Sequence, residues 1–146
     1  MTGEAPPEQR AIPLRSVLTD VAAVLLLGWA GLLAYVSLPV LLSDDPLWDG
    51  GVSVLGAVLA AGHLAAALGV VRRAMWGRRL GLALGGIGLF GSAAVLITLV
   101  PGLERAEALI GRLPILVLAI PAGMVVAYAV IVTALYRGRD EFGQTA

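Results

Sequence analysis

A single histidine, His63, occurs in this chain of 146 residues, and it stands in the middle of a long stretch without formal charge. Three similar stretches carry Trp29, Ser92 and Tyr128 near their centres. An indole N–H, an imidazole, a hydroxyl and a phenol at one depth could relay a proton or pair with one another. The imidazole could also supply one axial ligand to haem. The simpler reading is a neutral imidazole that donates to a neighbouring hydroxyl or backbone carbonyl. Haem held between helices wants two ligands, which one histidine per chain provides only across a symmetric pair. No Cys, Asp or Glu lies at that depth to complete a metal site. Cysteine is absent altogether, which excludes disulfides and thiol catalysis. Nor do the charge-free stretches offer a nucleophile with its base or paired carboxylates. No catalytic, cofactor-binding or metal-binding residue is therefore assigned, and a non-enzymatic protein is expected.

The elements that would position those side chains are the charge-free stretches themselves: Val21 to Ser43, Gly51 to Val71, Leu80 to Leu103 and Leu113 to Tyr136. At about 1.5 Å per helical residue, each covers the roughly 30 Å of a bilayer's hydrocarbon core. The chain is 59% hydrophobic and 14% charged, and helices apolar on every side need lipid to cover them. The alternation of a membrane β-barrel is missing. The expected fold is all-α, a bundle of four transmembrane helices at about 17–42, 52–71, 80–100 and 113–136. A flexible cytoplasmic tail is expected at 1–16 and a cytoplasmic tail at 138–146. The first stretch is too long for the apolar core of a cleavable signal peptide, so it reads as a retained span.

Arginine placement sets the orientation. Arg10, Arg15, Arg72, Arg73, Arg78, Arg79, Arg137 and Arg139 fall on one side. Only Arg105 and Arg112, with Asp44, Asp45, Asp49, Glu104 and Glu107, fall on the other. Both termini are therefore expected in the cytoplasm, with antiparallel neighbouring spans in the cell membrane. The formal net charge of zero conceals this asymmetry and gives no reason to expect nucleic acid as a partner. Arg72, Arg73, Arg78 and Arg79 flank Met75 and Trp76 in what reads as an eight-residue inner loop, a candidate contact for anionic lipid headgroups. Asp20 should lie at the same interface. On the other side, Pro101-Gly102 is expected to stop the third span, and Leu103 to Arg112 to form a short interfacial helix. Pro121 should kink the fourth span.

Helices in lipid associate where small residues let backbones approach. Ala57, Ala61, Ala65 and Gly69 form such a stripe on the second span. Gly81, Gly85, Gly88 and Ser92 form one on the third, and Ala119, Gly123 and Ala127 one on the fourth. Beyond the lipid bilayer itself, they suggest a homo-oligomer or a membrane protein partner.

In size and span count the chain resembles the small multidrug transporters, which couple export to protons through a carboxylate buried in the first span. Here Val21 to Leu42 holds no Asp or Glu, and Asp20 is too near the interface to match. The run from Arg72 to Gly91, an Arg-Arg-x-x-x-Gly-Arg-Arg loop leading into a Gly-rich span, is similar to small four-span prokaryotic integral membrane proteins of unknown function. The leading expectation is an accessory or structural subunit that packs against itself or another membrane component. The alternative is a small transporter or channel whose path passes His63.

Overall fold

The computed structural model describes residues 14–42, 50–110 and 115–142. Four α-helices form one bundle: α1 Leu14–Leu41, α2 Gly50–Val71, α3 Met75–Ile110 and α4 Ile115–Arg137, followed by a 3₁₀ turn, Arg139–Glu141. Each α-helix is long and apolar enough to cross a membrane. The expected acidic connection with Asp44, Asp45 and Asp49, and the tail before Leu14, lie outside the described residues.

Three boundaries depart from expectation. The first is the α2–α3 connection, expected as an eight-residue loop, which shrinks to Arg72, Arg73 and Ala74, with Arg78 and Arg79 already on α3. Ala74 N–H donates to the Gly69 carbonyl at 2.9 Å and Arg73 N–H to that of Val70 at 2.9 Å. This pair of bonds closes α2 in a Schellman motif whose left-handed residue is usually glycine. Here it is Arg73, at φ 53°, a conformation that costs a non-glycine residue roughly 1 kcal/mol. The tight return also requires Gly77 to sit on Gly69, backbone against backbone, where a Cβ on either residue would strike the other's main chain.

The second departure is at Pro101. The helix does not stop there but runs on to Ile110, making α3 36 residues long. Proline removes a single backbone donor, and the residues from Leu103 to Ile110 are nearly all strong helix formers, so the expected interfacial helix is the continuation of α3.

The third is the end of the chain. Within the stretch expected as a tail, residues 138–142 carry the 3₁₀ turn and fold back onto the bundle. Phe142 is 4% exposed and joins the core; the ring's burial acts together with the Arg73–Glu141 ion pair and the backbone bonds from Gly138 to Ala134 and from Glu141 to Gly138 against the cost of ordering these residues.

The core lies towards the arginine-rich end. Ala22, Ala23 and Leu26 of α1 meet Ala66, Ala67 and Val70 of α2, Leu84 of α3, and Tyr128, Ile131, Ala134 and Leu135 of α4. On α3 the glycine stripe seats α4 side chains. A Cβ on Gly81 would meet Leu135 at 2.7 Å, one on Gly85 would meet Val132 at 2.9 Å, and one on Gly88 would enter the Tyr128 ring. The stripe on α4 behaves otherwise: Ala119 and Gly123 are exposed, and a Cβ on Gly123 would meet nothing within 4 Å. Among the described residues these two make no helix seam, and on α3 the glycines instead face the larger α4 side chains Leu135, Val132 and Tyr128. On α2, Gly69 and the half-buried Ala65 face the bundle, whereas Ala61 is exposed.

Candidate functional site

Three of the four side chains expected at mid-span depth come together. The Tyr128 ring stacks on Trp29, with centroids 5.1 Å apart and planes 6° from parallel. It tilts by 57° against His63 at 6.1 Å. Both Tyr128 and His63 are buried, and Trp29 is half-buried. Gly88 makes room, since any side chain there would displace the phenol ring.

Hydrogen bonding assigns the imidazole tautomer. His63 Nδ1 lies 2.8 Å from the carbonyl of Leu59, which can only accept, so Nδ1 carries the proton. Nε2 then accepts from the Tyr128 hydroxyl at 3.3 Å. Both ring nitrogens have partners, as a neutral imidazole in an apolar bundle requires. Ser92 does not join them: its buried hydroxyl donates to the carbonyls of Gly88 and Leu89 on its own helix, at 2.6 and 3.2 Å.

A second polar site stands at the arginine-rich end. Arg73 donates through Nη1 to Glu141 Oε2 and through Nη2 to Asp20 Oδ1, both at 2.8 Å. One guanidinium thus ties the α2–α3 turn to α1 and to the 3₁₀ turn. The other oxygen of Glu141, Oε1, is buried without a hydrogen-bond partner, so the carboxylate depends on Arg73. Arg78 donates from Nε to the Leu135 carbonyl at 2.9 Å, in the last turn of α4, where carbonyls lack intrahelical donors. The four arginines expected to form one lipid-facing patch therefore divide. Arg73 and Arg78 are held by the protein, and Arg72 and Arg79 are exposed.

Sequence reasoning missed Glu141 and the bridging role of Arg73. The signal was available: Asp20 and Glu141 are acids on the side where arginines collect, and near a membrane such acids find arginine partners. Gly77 was missed because it lies one residue before an arginine pair and outside any stripe of four.

A third feature is an apolar groove of about 410 Å³ between α1 and α2, lined by Ala30, Gly31, Ala34, Ala57, Ala60 and Ala61, with leucines at its margins. It lies on the half of the bundle away from the arginines. Comparison of the chain with protein-family models, with curated proteins and with solved structures gives no match.

Proposed function

We propose that this multi-pass membrane protein is a non-enzymatic packing subunit, similar in kind to small four-span prokaryotic membrane proteins. Both termini would lie in the cytoplasm of a cell whose plasma membrane holds the bundle, and neighbouring spans would run antiparallel. The observation that carries the reading is the α1–α2 groove. Its floor is built from alanine and glycine, of which Gly31 and Ala61 are exposed, and small residues in a groove allow another helix to approach closely. A helix seated there would belong to a second copy or to another membrane component.

The test is cross-linking of the full chain in native membranes, with Ala61→Phe to fill the groove. The expected result is a cross-linked partner that the variant loses while remaining folded. A chain that stays monomeric and captures no membrane protein would overturn the proposal. Orientation is checked by fusing a reporter that is active only in the cytoplasm to the C-terminus, where activity is expected.

A specific observation favours a second reading, a small transporter or channel: His63, Tyr128 and Trp29 converge on one buried site. It predicts a flux in liposomes that His63→Ala abolishes. Unchanged flux in the variant, or none in the wild type, would remove that reading. The full pairing of the imidazole supports the packing role instead.

A further inference from the structure

A second groove, of about 380 Å³, follows α4 beside Leu18 of α1, and unlike the α1–α2 groove it ends in a charge. Val125, Ala129 and Val130 line its apolar length, Thr133 stands near its end, and Arg137 closes it. From Val125 to Arg137 the groove runs about 18 Å at 1.5 Å per helical residue, against a leaflet depth of about 15 Å, half the hydrocarbon core. The whole groove therefore spans about one leaflet, with its apolar part in the acyl region and its charged end at the headgroups. Two exposed aromatic side chains at the same end, Trp76 at 52% and Tyr136 at 66% exposure, mark that interface.

The local carboxylates leave Arg137 unclaimed. Glu141 pairs with Arg73 and Asp140 with Arg139, and Arg137 has no ion pair among the described residues. Its side chain is exposed.

We propose that this groove binds one anionic phospholipid of the leaflet on the arginine-rich side, with an acyl chain against Ala129 and Val130 and the headgroup phosphate on Arg137 and Thr133. The site is separate from the α1–α2 groove and does not depend on the packing role. Arginine suits the headgroup because its guanidinium forms paired hydrogen bonds to phosphate oxygens. A competing role for Arg137 is to complement the C-terminal end of the α4 dipole, which would stabilise the helix whatever lipid is present.

Native mass spectrometry of the delipidated full chain, titrated separately with phosphatidylglycerol and phosphatidylcholine, distinguishes these roles. The wild type is expected to bind the first phosphatidylglycerol about fivefold more tightly, the preference one interfacial arginine confers. Arg137→Gln should bring the two lipids to within about twofold, and Ala129→Trp should weaken the first binding event for both. Arg72→Gln with Arg79→Gln should leave the fivefold preference in place. The proposal is overturned if Arg137→Gln keeps the preference, if the Arg72 and Arg79 pair removes it instead, or if Ala129→Trp leaves the first event unchanged. A spectrum in which the groove is satisfied by dimer with no bound lipid would also overturn it.

Discussion

The two halves of the bundle are held together by different means. Towards the arginine-rich end, Leu26, Val70, Ile131 and Leu135 are fully buried, and Phe142 closes the base. Towards the other end the buried side chains among the described residues include Ala30, Ser37, Ser53, Ala60 and Ser92, none of them a large apolar one. The large side chains Tyr35, Phe90 and Ile97 face outward there at 79%, 78% and 71% exposure. One half is closed by interdigitated side chains and by arginines engaged with carboxylates and a helix end. Among the described residues the other half presents a groove floored by alanine and glycine. The contrast separates a half packed by large side chains from one where small side chains line a groove.

The sharpest way to break this contrast is to add one methyl group to a glycine in each half. Gly77→Ala sets a Cβ against the main chain of Gly69, where only movement of whole helices relieves the clash. A loss of about 3 kcal/mol or more is expected, or failure to fold. Gly123→Ala enters open space and should change stability by about 1 kcal/mol or less, in the favourable direction, because alanine is the better helix former. Equilibrium unfolding in mixed micelles measures both. Equal losses would mean that the closed half is no more tightly built than the open one.

Next in size is the ionic tie. Arg73→Ala keeps the left-handed backbone of a non-glycine residue, removes both ion pairs and leaves Glu141 without a partner. Asp20 is 67% exposed and regains water, so most of the penalty falls on Glu141, at 20%. A loss of about 2 kcal/mol is expected, below the range for fully buried pairs. Arg73→Gly loses the same pairs but relieves the backbone, and should recover roughly 1 kcal/mol of that. If the glycine variant proves no more stable than the alanine variant in the same unfolding measurement, the turn carries no strain at Arg73.

How much of this was legible beforehand follows from the range of the forces involved. Hydrophobicity summed over some twenty residues is a local property, and the four charge-free stretches do become four helices. Ends were less legible because they depend on partners distant in sequence. Arg73 closes α2 in a conformation typical of glycine, and the guanidinium that stabilises the turn reaches residues 53 and 68 positions away. Pro101 reads as a stop only until the helix-forming strength of Leu103 to Ile110 is weighed against one missing bond. The mid-span set was legible by depth, since Trp29, His63 and Tyr128 meet. Depth does not specify which way a side chain turns about its helix, so Ser92, at a similar level, bonds its own backbone. The same missing information hid the outward stripe of Ala119 and Gly123.

The smallest effect expected lies where the two halves join, at Tyr128. Its ring belongs to the closed half through Gly88 and the core, whereas its hydroxyl serves His63. Tyr128→Phe keeps the ring stack on Trp29 and removes only the donor to Nε2. Hydrogen bonds between spans average about 0.6 kcal/mol, because helices separated in lipid also find partners. A loss of that order is expected, with the Trp29 emission, read in a chain whose Trp48 and Trp76 are replaced by Phe, nearly unchanged. His63→Phe in the Tyr128→Phe background should then cost little further in polar terms, since neither side chain retains a group that the other needs. If Tyr128→Phe instead costs more than about 2 kcal/mol, the phenol–imidazole bond belongs with the ionic tie as a principal fastening. The boundary of the closed half would then lie at mid-span rather than nearer the arginines.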